Sequence, residues 1–142
     1  MEAVAGAALS PRARAAFLAL VLAQAGHSVE EYRSRLYEVF APARAVSGLI
    51  SPDRRVGFVI FNAGLVAFGL WCWLGPVRRG RPSARALAWA WAILEAANGT
   101  VHVLWALSAG AYRPGLYTAP LLIGAAIFLA AQLRVSRRTM ET

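Results

Sequence analysis

A chain of 142 residues with 58% hydrophobic side chains, 15% charged ones and a mean hydropathy of +0.50 is far more apolar than a soluble domain, in which about a quarter of residues are charged. The formal charge of +8 comes from fifteen arginines and no lysine; because they flank apolar runs instead of lining one face or alternating with exposed aromatics, they argue against nucleic-acid binding. Cys72 is the single cysteine, which excludes an intrachain disulfide and a cysteine metal cluster and leaves it a lipid-facing or packed apolar residue.

Taken in order, the apolar runs predict an all-α integral membrane four-helix bundle of one domain, residues 1–142, with spans near 11–31, 56–77, 86–109 and 116–133. Each is measured against the ~20 helical residues that cross a hydrocarbon core. The first run, Ala15 to Gly26, is too short alone. A helix starting at Ser10-Pro11, an N-cap followed by a first-turn proline, therefore carries the polar stretch His27-Ser28-Val29-Glu30-Glu31-Tyr32 inside it or at its outer end. A cleaved secretory signal is the other reading of this run, with Ala23-Gln24-Ala25 as the cleavage site.

Between the first and second spans, Arg33 to Arg55 mixes arginines with Leu36, Phe40, Val46 and Ile50, the pattern of an interfacial helix or lid on the outer leaflet. Gly57, Gly64 and Gly69 in the second span suit close helix approach. The later connections are short and turn-rich, and Pro114-Gly115 occupies the centre of a type II turn. With the N- and C-termini inside, nine arginines lie on the cytoplasmic side against six outside, which the positive-inside rule favours for a plasma-membrane protein. Trp71, Trp73, Trp89 and Trp91 then fall near the inner interface and Trp105 near the outer one. Tyr112 and Tyr117 read as interface anchors, and the sequon Asn98-Gly99-Thr100 lies inside a span, where glycosylation is excluded.

Polar groups within these spans carry the functional signal, because a charged side chain in a bilayer costs on the order of 2.5–3.5 kcal/mol. In the third span Glu95, Asn98 and His102 stand at i, i+3 and i+7, one stripe of a helix. In the first, His27, Glu30 and Glu31 stand at i, i+3 and i+4, with Gln24 one turn earlier; the second adds Asn62. Measured from Arg14 and Arg85 at the inner boundary, His27 and Asn98 are each thirteen residues up, and Glu31 and His102 each seventeen. Asn62, seven residues in from Arg55, reaches a similar depth from the other side at ~1.5 Å per residue.

One layer of imidazoles, carboxylates and amides is the donor set helical bundles use for zinc, iron or manganese. His27, Glu31, Glu95 and His102 are the expected metal ligands. Glu30 is expected to complete a second metal site or act as general base, with Asn98 and Asn62 orienting ligands; whether one or two ions bind stays open. The same groups could also glue the helices together or carry protons.

The ordered set His27-x-x-Glu30-Glu31, Asn62, Glu95-x-x-Asn98-x-x-x-His102 and Tyr112-x-Pro114-Gly115 resembles the marks of the HXXEE-domain family of small bacterial membrane proteins, from about Ala15 to Leu133. That resemblance implies an integral membrane enzyme without an assigned reaction and an active site at His27, Glu30, Glu31, Asn62, Glu95, Asn98 and His102. The segment after Tyr32 is more arginine-rich than the family leads one to expect. Together these readings give a metal-dependent membrane enzyme acting on a lipid or apolar small molecule by hydrolysis or oxidation. A proton-coupled carrier or channel and a purely structural membrane protein are the alternatives.

Overall fold

The computed structural model describes residues 8–138, which form helices and turns with no strand among them. The helices are α1 (Pro11–Arg33), α2 (Leu36–Val39), α3 (Ala41–Ile50), α4 (Arg54–Cys72), α5 (Ala84–Ala109) and α6 (Ala119–Arg138). Ser10 caps α1 by accepting from the Ala13 N–H at 3.1 Å, with Pro11 in the first turn, where a missing N–H costs nothing. The helix continues through the polar stretch without a break. Beyond α4, Trp73–Val77 widens into a π turn around Pro76, closed by the Arg78 N–H on the Trp73 carbonyl at 2.9 Å; proline, lacking a donor, breaks the regular ladder there.

Around the molecule the long helices run α4, α1, α6, α5: α1 packs on α4 and α6, and α5 packs chiefly on α6. Gly99 makes the α5–α6 crossing close, since a Cβ there would stand 2.7 Å from Ile123 Cγ1 and 3.0 Å from the Ala119 carbonyl oxygen. The ring is open between α4 and α5, which do not form a packed pair along their length. They meet where Trp91 lies against Gly69, whose added Cβ would reach the indole at 2.9 Å. At the other end the α2–α3 segment roofs the gap. Gly57 lets α3 and α4 touch backbone to backbone, because a Cβ there would sit 2.0 Å from the Ser47 carbonyl oxygen. Gly64 faces open space and brings no helix close, contrary to the sequence expectation.

Apolar packing occupies both ends. One cluster, built on Phe17, Leu20, Val21, Trp91, Leu129 and Leu133 and including Cys72, fills the end near the α4–α5 turn. A smaller one of Leu36, Tyr37 and Phe58 lies under α2. Polar residues of α1, α4 and α5 fall between them along each helix. By length and composition one helix, Arg54–Val77, is clearly long and apolar enough to cross a membrane, and Ala119–Val135 is a shorter apolar helix. Of the four spans expected, that is the clear one: α1 and α5 interrupt their apolar runs with the polar layer, and the last helix begins at Ala119, after a turn, instead of at Leu116.

Candidate metal centre

Three side chains from two helices converge. His27 and Glu31, one turn apart on α1, face His102 of α5; Glu31 Oε1 lies 3.4 Å from His27 Nε2 and 3.0 Å from His102 Nε2. All three ligand atoms lie within 4.8 Å of one another, and all three residues are buried. The imidazoles meet edge to face with centroids 4.8 Å apart. Donors held ~2.1 Å from one cation stand about 3.0 Å apart at right angles and about 3.4 Å apart at tetrahedral angles, so the carboxylate's spacings to both rings match ligation.

The protons on both rings are fixed by what lies behind them. His102 Nδ1 is 2.6 Å from the Pro114 carbonyl oxygen; a carbonyl only accepts, so Nδ1 carries a hydrogen, and in the neutral ring Nε2 presents its lone pair to Glu31. Behind His27, Nδ1 is 2.7 Å from Thr118 Oγ1. The Thr118 hydroxyl donates to Glu30 Oε2 at 2.5 Å, and the same carboxylate accepts from the Thr118 N–H at 2.8 Å, the Tyr117 N–H at 3.1 Å and the Tyr112 hydroxyl at 2.9 Å. With its one proton spent, Thr118 accepts from His27 Nδ1–H. His27 Nε2 is left bare, buried and without a hydrogen-bond partner. Two imidazole nitrogens and a carboxylate oxygen thus point at one another, and His27 Nε2 has no hydrogen-bond partner there, an arrangement that could hold a cation.

The Tyr112–Gly115 loop builds half of this. Arg113 O accepts from Leu116 N at 3.1 Å and Gly115 has φ +90°, which makes Pro114-Gly115 the centre of a type II turn as expected. Its glycine lies flat against His102: an added Cβ would be 2.5 Å from Nδ1. Burial, the largest influence, and the nearby Glu30 carboxylate raise the Tyr112 phenol above its ordinary range, so it stays a hydroxyl donor to Glu30. Tyr112 therefore holds Glu30 in place in addition to lying near the outer turn.

A second polar chain runs alongside. Asn62 Nδ2 donates to the Phe58 carbonyl at 3.0 Å, so its Oδ1 accepts from Ser28 at 2.8 Å; Ser28 accepts from Gln24 Nε2 at 3.1 Å. Asn98 Nδ2 then reaches Gln24 Oε1 and Glu95 Oε2, each at 3.4 Å. Every amide orientation follows from the one carbonyl at the end of the chain. Glu95 is fully buried, and its Oε1 has no partner.

Of the residues picked out in sequence, the structure unites His27, Glu31 and His102. Glu95, expected among the ligands, stands outside that trio and ends the amide chain instead, because its position on α5, seven residues before His102, puts it nearly two turns away. Glu30 lies outside the trio and accepts from four donors, so its lone pairs hold the Tyr112–Thr118 segment. Asn62 and Asn98 belong to the amide chain and orient none of the three ligands. Thr118, Ser28 and the Pro114 carbonyl were missed. The Tyr-x-Pro-Gly spacing was the available sign of the carbonyl; for Thr118, ninety-one residues from His27, there was none.

Glu31, His102, Glu95, Asn98, Gln24 and Asn62 all line one cavity of ≈ 380 Å³, whose remaining wall is apolar and comes from α2, α3, α4 and α5. Phe40, at the α2–α3 junction, lies tilted at 39° to both Trp105 and His102, with ring centroids 4.9 Å and 6.2 Å away. Residues 36–47 of the Arg33 to Arg55 segment thus roof the cavity.

These features define an all-helical protein with a buried His–Glu–His group able to hold a metal, two of whose members, Glu31 and His102, line a largely apolar cavity. The chain belongs to the HXXEE family: the model of the family described as "Protein of unknown function with HXXEE motif" matches residues 18–129. No curated protein and no solved structure gives a match.

Proposed function

We propose that the chain is an integral membrane metalloenzyme in which His27, Glu31 and His102 hold one divalent cation, zinc, iron or manganese, and that it acts on a lipid or other apolar molecule entering sideways between α4 and α5. The observation that carries this reading is the convergence of two imidazoles and a carboxylate in a buried site, with His27 Nε2 left without a hydrogen-bond partner. Protons would serve the same atoms less well, since two imidazolium rings with centroids 4.8 Å apart would place like charges together out of water. A divalent cation supplies all the charge at the centre.

Three protein ligands leave coordination positions for water or substrate, as catalytic zinc sites and two-histidine, one-carboxylate iron sites both do. Bound there, the cation would acidify water for hydrolysis or, as iron, activate dioxygen for oxidation. Glu95, with one oxygen free on the cavity wall, is the group placed to exchange a proton with a bound molecule, while Asn98 and Asn62 hold the wall in register. Membrane insertion is supported by the long apolar helix Arg54–Val77 and by Leu22, Phe61, Ile93, Leu104, Leu107 and Ile127, all more than two-fifths exposed; apolar surface on so many faces is out of place in water. The arginine distribution favours an arrangement with both termini in the cytoplasm of a plasma-membrane protein.

Elemental analysis of the purified protein tests this. The wild type should carry about one metal per chain and the folded His27→Ala, His102→Ala double variant none. A wild type that stays metal-free after reconstitution with zinc, iron and manganese would leave the polar layer as helix glue and end the proposal. The metal found selects the reaction: zinc for hydrolysis, iron for oxidation.

A further inference from the structure

The arginines that follow Tyr32 take no part in the proposed centre. Arg33 and Arg35 come from the end of α1 and the turn after it, Arg54 and Arg55 from the start of α4, and all four line one open basin of ≈ 690 Å³ with Tyr32 and Tyr37. Arg35 adopts the left-handed conformation at φ 57°, a costly state for a side chain of its size, and this sharp corner turns α2 back over the basin.

The basin is unevenly neutralised. Asp53 Oδ1 accepts from the Arg55 and Val56 N–H groups, capping α4, and Glu38 meets Arg35 at 3.8 Å. Arg55 is steered by the Tyr32 hydroxyl, 2.6 Å from its Nε, and lies over that ring at 5.4 Å. Among the described residues Arg33 and Arg54 form no ion pair. Several guanidinium groups around one hollow make a receptor for an oxyanion, above all a phosphate, through paired N–H donors.

Tyr32 also stands at the head of an apolar groove of ≈ 480 Å³ between α1 and α4, walled by Val29, Val59, Ala63, Val66 and Leu70. From Phe58 to Leu70 the groove extends ~18 Å at ~1.5 Å per residue, close to the ~15 Å of one leaflet's share of the hydrocarbon core. A cationic hollow at the level of the headgroups opens into an apolar channel one leaflet deep.

We infer that basin and groove together bind one anionic phospholipid, its phosphate among Arg33, Arg54 and Arg55 and one acyl chain in the groove between α1 and α4. This rests on the membrane placement proposed above and is independent of the metal. The bound lipid would pin the α1–α2 corner, from which the roof over the metal cavity hangs.

Native mass spectrometry of the purified full chain, equilibrated with phosphatidylcholine vesicles containing phosphatidylglycerol, tests the inference. One phosphatidylglycerol should be retained in preference to phosphatidylcholine, and Arg33→Ala with Arg54→Ala should reduce that preference about thirtyfold (about 2 kcal/mol). Val66→Trp, which fills the groove, should reduce retention of phosphatidylglycerol while leaving the arginines intact. A wild type that holds both lipids equally, or a double variant that keeps the preference, overturns the inference. So does release of the lipid by millimolar inorganic phosphate, which would make the basin a site for the free anion. Metal content should be identical in the wild type and the arginine variant, so failure here and failure of the metal reading are separable.

Discussion

Replacing Gly115 with alanine strikes the joint between the Tyr-x-Pro-Gly loop and the metal group. At φ +90° a residue with a side chain is strained by roughly 1–3 kcal/mol. The new Cβ would also lie 2.5 Å from His102 Nδ1 and 2.7 Å from Cε1, so the ring must shift and its bond to the Pro114 carbonyl weakens, at about 0.5–1.5 kcal/mol. Together these give a loss of roughly 2–4 kcal/mol, or a fall of roughly 6–12 °C in the unfolding midpoint at this chain length. Because the carbonyl also fixes which nitrogen faces Glu31, metal affinity should drop about 10- to 100-fold. Thermal unfolding and competitive chelator titration of the detergent-solubilised protein measure both. Gly64→Ala is the internal control: nothing lies within 4 Å of its Cβ position, so helix propensity should leave it neutral or better by about 0.5–1 kcal/mol. If Gly115→Ala matches the wild type in midpoint and affinity, the contact between turn and imidazole has no energetic weight and the reasoning fails.

Two further outcomes follow from the same network. Thr118→Val removes the hydroxyl that accepts from His27 and donates to Glu30, leaving a buried ring N–H unpaired, so it should cost about 1–3 kcal/mol in denaturant unfolding while Thr118→Ser recovers most of the loss; equal stability of the two variants would contradict the assigned proton directions. Acidification should release the cation, since protons compete with it for the same imidazole and carboxylate lone pairs, and chelator titration at successively lower pH would expose a pH-independent site.

Much of the polar layer was legible in one dimension. Helical spacing and depth counting from Arg14 and Arg85 put Glu31 level with His102, and the two side chains meet at 3.0 Å, because rise per residue is fixed once a segment is helical. The cap at Ser10-Pro11 and the turn at Pro114-Gly115 were equally readable, being local steric preferences. Depth, however, fixes only one coordinate. Which way each side chain of α1 faces around its axis is set by how α1 leans between α4 and α6, and that rotation separated Glu30 from Glu31, while Glu95 misses the trio by its distance along α5. The hydroxyl that orients His27 comes from ninety-one residues away and the carbonyl that orients His102 from twelve, and only folding brings them to the rings. Periodicity and composition thus determined that a polar layer exists and at what level, while side-to-side packing of the helices decided which of its members could share a single ion.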